Sequence, residues 1–597
     1  MSYRAPLGEF AFVLNDYLGI AGLGNLPGFS DTTPDLLAAI LGEIGKFAEE
    51  KLYPLNASAD REGCTYDPAS KTVRTPAGFK AAHRAFVEAG WPRLSADPEY
   101  GGQALPVVIA TAAGETLTSA NWAFTMYAGV GNGAYSAIKA HGSEEQKSLY
   151  LPKLASGQWS GTMHLTEPQA GTDLGLMRTT AEPSPDGSYR INGTKIFISG
   201  GEQDITENIV HLVLAKIPGG PPGSRGISLF IVPKFLVNPD GSLGKRNTLS
   251  CGGLEHKMGI NGSATCVMNY ENAAGFLVGE PHKGLRAMFT MMNEARLAVG
   301  LQGLAIAEVA YQNAAAYAKE RLQGRSISGA KNPDGPADPI IVHPDVRRML
   351  MEARCFTEGA RAFILWIALK VDLEMRASDA KEREAAGDLV ALLTPVIKAY
   401  CSDQGFQTAV KCQQVFGGHG YIKEYPAEQF VRDARIAMIY EGANGIQAMD
   451  LVGRKLAQNN GRALGMFFGE IDHALEDAKG DVFLKPWADG LTKAKADMQG
   501  AIGWLMQNAL TRPEHAGAGA NDFLYLTALT TLAYIWLGLV KTAKAKLDAG
   551  TGDKAFCEAK IAVGRFFLAR VLPDTSAHLA KLTSGADTVM ALAADAF

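Results

Sequence analysis

The sequence predicts a mainly α-helical protein with a small β domain, a barrel, in the middle and a further helical domain at the C-terminus. Helical patterns dominate before residue 160 and return after Pro281. Between them lie β-branched runs bounded by Pro and Gly. At 597 residues the chain is too long for one hydrophobic core. The expected segments are an arm and four domains: 1–35, 36–160, 161–280, 281–460 and 461–597.

The composition is that of an ordinary globular protein, with 47% hydrophobic and 20% charged residues. A net charge of -5 gives no electrostatic reason to expect a nucleic-acid partner. The seven cysteines show no CxxC pair and no histidine at metal spacing, so we expect neither a metal site nor a disulfide framework. They fit a reducing compartment, and the N-terminus lacks a signal-peptide pattern, so we expect a cytoplasmic protein.

The middle segment supplies the β signal. "YRINGTKIFISGG" (189–201) alternates apolar and polar residues around Asn-Gly, which predicts a hairpin. "NIVHLVLAKI" (208–217) and "GISLFIVPKFLV" (226–237) predict further strands. The first 35 residues are rich in Gly and Pro, and we expect an irregular arm there.

Long helices are predicted after the β domain. Residues 288–322 contain no proline and place Leu and Ala along one face. Residues 388–418 predict a second long helix that ends at Gly-Gly. The uncharged run 523–540 reaches the lower limit of a membrane span. Its three threonines and its glycine favour a buried bundle or interface helix instead.

Three short stretches could carry chemistry. "MHLTEPQAGTDLG" (163–175) is a loop whose amides, with Thr166 and Thr172, could meet a planar polar ligand, although a plain turn is the simpler alternative. "QVFGGHGY" (414–421) permits close backbone approach, or is only a helix C-cap.

The third stretch, "IYEGANGIQ" (439–447), places Glu441 before a helix for which Asn444 is the predicted N-cap. A carboxylate between apolar residues is a suitable general base. The alternative is a surface glutamate favoured by the helix dipole.

Taken together, these stretches resemble the acyl-CoA dehydrogenase family over residues 80–455. The matching motifs keep their order and spacing, and include "EYGGQALP" (99–106), "HLTEPQAGTDLG" (164–175), "NGTKIFISGG" (192–201), "EHKMGINGSATC" (255–266) and "QQVFGGHGYIKEYPAEQFVRDARIAMIYEG" (413–442). The additional C-terminal segment is similar to the longer bacterial branch of the family. The resemblance implies an α-helical domain, a middle β-barrel and a four-helix bundle, with FAD in the seam and shared with a neighbouring subunit.

The reaction that the resemblance implies is α,β-dehydrogenation of a short acyl-CoA thioester, for which a thioether chain is expected to be accepted. Glu441 would remove the α-proton while the β-hydride passes to FAD. Substrate contacts are implied for Thr172, Arg296, Tyr440 and Gly442. The residues that match flavin or pyrophosphate contacts are Met163, His164, Leu165, Thr166, Gly171, Thr172, Phe197, Ile198, Ser199, Arg321, Gln414, Gly417 and Gly418.

The resemblance also implies a homo-oligomer, dimer or tetramer, and an electron-transferring flavoprotein as acceptor. We expect no nucleic-acid partner and no membrane association. An acyl-CoA oxidase would use the same flavin and base but return electrons to oxygen. A DNA-associated alkylation-response flavoprotein needs a basic extension. Residues 461–597 hold 14 Lys and Arg against 15 Asp and Glu, which counts against it. Two further alternatives are a general short/medium- or long-chain acyl-CoA dehydrogenase of fatty-acid β-oxidation and a non-catalytic scaffold.

Overall fold

A computed structural model describes residues 2–597. The chain divides into two compact units. The first unit comprises the residues up to Gly42, Pro106–Glu115 and Val299–Phe597. The second comprises Glu43–Leu105 and Thr116–Ala298.

Helices make up most of the described chain, as the sequence predicts. They are α1 Leu7–Ala11, α2 Pro34–Phe47, α3 Tyr53–Glu62, α4 Phe79–Glu88, α5 Val107–Ala120, α6 Trp122–His141, α7 Glu144–Ala155, α8 Gly284–Glu320, α9 Pro344–Arg376, α10 Ala380–Val415, α11 Ala427–Ala434, α12 Asn444–Asp450, α13 Arg462–Asp477, α14 Lys485–Asn508, α15 Glu514–Asp548, α16 Lys554–Arg570 and α17 Asp574–Thr583.

The β structure lies in the second unit. Its strands are β1 Thr65–Asp67, β2 Thr72–Arg74, β3 Trp159–His164, β4 Thr180–Pro183, β5 Tyr189–Ser199, β6 Asn208–Lys216, β7 Ile227–Pro233, β8 Phe235–Val237, β9 Leu243–Arg246, β10 Leu249–Leu254 and β11 Thr265–Val278.

Seven of these strands form one sheet, and five of the seven pair in a closed ring. β11 pairs with β5, β5 with β4, β4 with β6, β6 with β7, and β7 with β11. β10 joins the ring at β11, and β3 runs parallel to β6. A ring of strands leaves its members without free edges, which is the property of the predicted barrel.

The predicted hairpin at residues 189–201 is wrong. Tyr189–Ser199 is one continuous strand, and Gly193 within it pairs with Tyr270. Gly193 has φ of 149°, and a Cβ there would lie 2.5 Å from the hydroxyl oxygen of Thr179. The glycine is therefore needed for the close approach of a neighbouring chain segment, and not for a turn.

The prediction of an irregular N-terminal arm is also wrong for residues 7–17. Helix α1 is followed by a π-helical turn, Phe12–Tyr17. Phe10, Phe12, Val13 and Leu14 are buried. The carboxylate of Glu9 lies 2.6 Å from the ammonium of Lys560 on α16. Burial against other helices stabilises this short helix, and composition alone does not reveal such burial.

Two described helices, α10 and α15, are long and apolar enough to cross a membrane by length and composition. The structure buries 83% of the apolar window of α15 against other helices of its own unit. Three threonines of the run, Thr527, Thr530 and Thr531, donate hydroxyl hydrogen bonds to backbone carbonyls. Their polar groups are therefore satisfied inside the helical layer.

Candidate active site

Strand β3 carries the first predicted cofactor residues on two different faces. Met163 and Leu165 lie against a buried apolar cluster that includes residues of α6 and α7. His164 points the other way, because successive side chains of a strand alternate. The structure therefore leaves Met163 and Leu165 partly buried and His164 fully enclosed.

The imidazole of His164 lies in a hydrogen-bonded cluster inside the sheet. Its Nδ1 is 2.7 Å from the hydroxyl of Tyr270, and its Nε2 is 2.7 Å from Thr162 Oγ1 and 3.0 Å from His211 Nδ1. Burial, with smaller contributions from His211 and Lys195, holds the pKa of His164 well below its usual value. The ring is therefore neutral, and only the backbone of His164 is left to contact a cofactor.

The loop after β3 is fixed by Glu167. This buried carboxylate accepts hydrogen bonds from the backbone N–H groups of Arg178 and Thr179 at 2.7 and 3.1 Å, and from the Thr179 hydroxyl. The Lys195 ammonium, buried on β5, donates to it at 2.9 Å and to the carbonyl of Leu165 at 3.1 Å. The loop tip, with Gly171 and Thr172, is exposed.

The end of β5 presents an aromatic ring to solvent. Phe197 has φ of 60° and a side chain that is 60% exposed. A positive φ in a bulky residue is a rare, strained conformation that persists only where the surroundings impose it. Its neighbour Ile198 is buried, Ser199 is half-buried, and the N–H of Ile196 donates to the carbonyl of Thr166 at 3.0 Å. The structure thus places the 163–166 and 197–199 segments next to each other.

Glu441 lies in a short loop before α12, in the first unit. It is half-buried and also has a positive φ, 57°. The side-chain amide of Gln447 donates to the carbonyl of Gly442 at 3.1 Å and to that of Glu441 at 3.4 Å. The hydroxyl of Tyr440 donates to the side-chain carbonyl of Gln302 on α8. Hydrogen bonds thus restrain the loop of the candidate base both before Glu441, at Tyr440, and after it, at Gly442.

The predicted N-cap role of Asn444 is wrong. Asn444 is the first residue of α12, the cap position is Ala443, and no side chain caps this helix end. The amide of Asn444 instead bonds to α10, where Lys398 Nζ donates to its Oδ1 at 2.7 Å and Asp403 Oδ1 accepts from its Nδ2 at 2.7 Å. Stronger partners on a neighbouring helix outcompete the local cap.

Arg321 and the Gly417–Gly418 loop belong to one region of the first unit. Tyr317 lies one helical turn before Arg321, and the centroid of its ring is 4.5 Å from that of the Phe416 ring. Its hydroxyl oxygen shares a hydrogen bond of 2.8 Å with Nδ1 of His419. Gly417 has φ of 57°, the left-handed conformation of a helix C-terminus. Gln414 precedes it in the last turn of α10, and Arg321 is exposed.

Arg296 lies on α8 in the second unit and is only 8% exposed. No group of three or more His, Cys, Asp or Glu side chains among residues 2–597 could hold a metal ion. All seven cysteines of the described chain are free thiols.

Sequence reasoning missed the residues that hold these segments in place. They are Glu167, Lys195, Lys398, Asp403 and Gln447. The only available signal was the presence of Lys398 and Asp403 in an otherwise apolar stretch of α10. That signal is weak, because a lone charge in a helix usually marks its solvent face.

Four family profiles match consecutive parts of the chain. They are the acyl-CoA dehydrogenase N-terminal domain at residues 36–158, its middle domain at 162–273, its C-terminal domain at 282–456, and an acetyl-CoA dehydrogenase C-terminal-like domain at 467–593. The 3-methylmercaptopropionyl-CoA dehydrogenase of Ruegeria pomeroyi is 43% identical over 99% of both chains.

The chain belongs to the acyl-CoA dehydrogenase family. The broad-specificity linear acyl-CoA dehydrogenase of Mycobacterium tuberculosis is a further relative, 37% identical over 96% of both chains. A crystal structure of an acyl-CoA dehydrogenase from Bacillus anthracis complexed with FAD has a TM-score of 0.74 and 22% identity, and covers 93% of this chain and 88% of its own. That similarity supports the fold alone. The protein is thus an FAD-dependent dehydrogenase that acts on acyl-CoA.

The residues present suit FAD. Phe197 offers an exposed aromatic face to a planar ring system. Around Gly171, Gly417 and Gly418, nothing lies within 4 Å of where a Cβ would stand, so a ligand could approach the backbone closely. The exposed guanidinium of Arg321 suits a pyrophosphate. Taken by themselves, the residues of each unit are thus compatible with contacts to a non-covalently bound flavin.

Proposed function

We propose that this acyl-CoA dehydrogenase oxidises 3-methylmercaptopropionyl-CoA to 3-methylthioacryloyl-CoA, with Glu441 as the catalytic base. The observation that carries the substrate proposal is the 43% identity to the Ruegeria pomeroyi enzyme, which extends over 99% of both chains. The match therefore includes residues 461–597, which shorter members of the family lack.

In the proposed mechanism, the carboxylate of Glu441 removes one α-proton of the thioester. Bound FAD would supply the acceptor for the β-hydride, and loss of the α-proton and the hydride would leave a carbon–carbon double bond in the product. The backbone N–H of Glu441 donates to the thioester oxygen, where negative charge develops as the proton leaves. The side-chain amide of Gln447 holds the carbonyls of Glu441 and Gly442 by hydrogen bonds, and so restrains the backbone next to the base.

The selectivity for a thioether chain should be modest. In this substrate a sulfur atom stands in the place of a methylene group, and the two are similar in size and apolar character. The substrate therefore resembles a five-carbon acyl chain. One methylene contributes only about 0.8 kcal/mol on burial. Apolar pockets discriminate by roughly 10–200-fold for such a change. Butyryl- and valeryl-CoA should therefore also be oxidised.

The test is kcat/KM with 3-methylmercaptopropionyl-, butyryl-, octanoyl- and palmitoyl-CoA and one artificial acceptor. We expect the first two to be preferred over palmitoyl-CoA. A tenfold or greater preference for palmitoyl-CoA would overturn the short-substrate proposal and leave the dehydrogenase assignment intact.

A second candidate is a broad-specificity dehydrogenase of linear acyl-CoA. The observation that favours it is the 37% identity to the Mycobacterium tuberculosis enzyme over 96% of both chains. The same substrate series distinguishes the two, because a broad-specificity enzyme would give kcat/KM values within about tenfold from butyryl- to palmitoyl-CoA.

For partners and location we propose a cytoplasmic homo-oligomer that passes electrons to an electron-transferring flavoprotein, without nucleic acid or membrane association. Seven free thiols fit a reducing compartment. Slow reoxidation of the reduced flavin in air would separate this enzyme from an oxidase. Flotation of the protein with liposomes at physiological salt would contradict the proposal. So would binding to duplex DNA in a salt titration.

A further inference from the structure

A chain of hydrogen bonds joins the C-terminal helices to the segment that carries Glu441. Tyr525, on α15, donates its hydroxyl to Asp403 Oδ2 at 2.8 Å. Asn444 donates its amide to the other oxygen of the same carboxylate at 2.7 Å. Asn444 is the third residue after Glu441. The series of hydrogen bonds therefore runs from α15 through α10 to the start of α12.

The orientation of the Asn444 amide is fixed by charges of opposite sign. Its oxygen accepts from the Lys398 ammonium at 2.7 Å, and its nitrogen donates to the Asp403 carboxylate at 2.7 Å. Its nitrogen is also 3.0 Å from Ser402 Oγ. Lys398 and Ser402 are fully buried and Asn444 is 8% exposed. A flipped amide would place its NH2 group against the Lys398 ammonium and its oxygen against the Asp403 carboxylate. Asn444 therefore has one orientation.

The Tyr525 hydroxyl suits the role of a donor to Asp403. Burial and the neighbouring Asp403 carboxylate raise the pKa of Tyr525 above its usual value, so the hydroxyl stays protonated. Its ring also packs edge-on against the Tyr400 ring of α10, with centroids 5.3 Å apart. The donor and its acceptor thus belong to two helices that contact each other.

The loop between Tyr440 and Asn444 needs such support. Glu441 has φ of 57°, which a glutamate adopts only where its surroundings impose it. The Gln447 amide holds the carbonyls of Glu441 and Gly442. Gln447 itself lies on α12, so its position depends on how the start of that helix is held.

We propose that Tyr525 is a positioning residue for the catalytic base, acting through Asp403 and Asn444. The C-terminal helices would then contribute directly to the reaction by fixing the start of α12 and with it the Glu441 loop. This inference rests on Glu441 being the base. A base displaced from its productive geometry removes the proton more slowly, and we expect a roughly 5–50-fold fall in the rate of flavin reduction.

The test compares Tyr525→Phe with Tyr534→Phe in the FAD-loaded full chain. Tyr534 is a matched control, because it is a tyrosine of the same helix and donates to Glu470, which lies on α13. Anaerobic flavin reduction at saturating 3-methylmercaptopropionyl-CoA, or butyryl-CoA, gives the rate, and its substrate dependence gives the apparent affinity. Hydrogen exchange of a peptide that covers residues 440–450 reports the loop independently of activity.

We expect Tyr525→Phe to lower the reduction rate, to change the apparent affinity by less than about threefold, and to speed exchange in the 440–450 peptide. Tyr534→Phe should match wild type in all three. Asp403→Leu should repeat the Tyr525→Phe effects, because leucine has a similar shape but can accept from neither the Tyr525 hydroxyl nor the Asn444 amide. The double variant should be no slower than the worse single variant, as expected for residues that act in one chain.

Wild-type reduction rate and exchange in Tyr525→Phe, or equal losses in Tyr525→Phe and Tyr534→Phe, would overturn the inference. A different result is expected if the proposed function itself is wrong and Glu441 is not the base. If Glu441→Gln reduces its flavin at the wild-type rate, Glu441 is not the base, whereas the exchange data still show whether Tyr525 orders the loop.

Discussion

The ammonium of Lys195 lies 2.9 Å from a carboxylate oxygen of Glu167, and both side chains are buried. The pair links β5 to the loop that follows β3. Two segments that match flavin contacts, 163–172 and 197–199, are therefore fixed relative to each other by one ion pair and by the backbone bond from Ile196 to Thr166.

Removal of one partner from this pair should destabilise the protein strongly. Lys195→Met leaves the Glu167 carboxylate buried without its cation, and such a change typically costs about 3–5 kcal/mol. The free energy of unfolding in urea measures it. Lys195→Met/Glu167→Gln should recover part of the loss, because Gln removes the uncompensated buried charge and its single amide oxygen can still accept from one of the two N–H groups, Arg178 or Thr179.

The exposed pair of Lys46 and Glu43 provides the control. Lys46→Met should change the free energy of unfolding by less than about 0.5 kcal/mol, as is usual for surface pairs. Equal effects of Lys195→Met and Lys46→Met would mean that the buried pair does not hold the loop.

The same carboxylate makes stability depend on pH. Burial alone would raise the pKa of Glu167, but Lys195, the Thr179 hydroxyl and the Arg178 N–H outweigh burial and hold it at about 2. Because the folded pKa lies below the usual 4.5, the contribution is fully present above pH 4.5 and is lost as the pH falls towards 2. Between pH 5 and 3, wild type should lose roughly 2 kcal/mol more than Glu167→Gln. Parallel urea-unfolding curves for the two proteins over that range would contradict this.

Features that depend on local pattern were predicted well. The long helices α8 and α10 follow from apolar periodicity and from the breakers at their ends. The strands β6 and β7 follow from uninterrupted β-branched runs. The family resemblance, confirmed by the relatives, then supplied the cofactor and the reaction.

Features that depend on distant contacts were not predicted. Asn444 and Asp403 are 41 residues apart, and Asp403 and Tyr525 are 122 residues apart. No periodicity joins such positions, so the sequence indicates for Asn444 only the local role that an asparagine before a helix usually has. Likewise, Asn192-Gly193 has the sequence of a turn, whereas the structure pairs both residues with neighbouring strands and brings Thr179 close to Gly193.

The energetic cost of the positive φ at residue 197 should be measurable by substitution of Phe197. Phe197→Gly and Phe197→Ala both remove the ring, so both should bind FAD more weakly than wild type. They differ in the cost of the positive φ, which is about 1 kcal/mol for Ala relative to Gly. We therefore expect the free energy of unfolding of Phe197→Gly to exceed that of Phe197→Ala by about that amount.

The comparison between the two variants isolates the backbone, because they lose the same aromatic contacts. The absorbance of flavin released by acid precipitation measures bound FAD in each. Equal stability of the Gly and Ala variants would show that residue 197 relaxes out of the strained conformation without cost.

Glu441→Gln should keep FAD and the fold but lose nearly all turnover. Glutamine preserves the shape of the side chain and the backbone N–H, so binding of the thioester oxygen should persist, whereas no group is left to take the α-proton. Loss of a general base typically costs about 10²–10⁴-fold in rate. The measurement is anaerobic: wild type should bleach when substrate is added, and the variant should bleach at least a hundredfold more slowly. Glu476→Gln, an exposed glutamate on α13, is the control and should bleach like wild type. A variant with normal bleaching would remove Glu441 from the mechanism, while loss of FAD in Glu441→Gln would point to a structural role for the carboxylate instead.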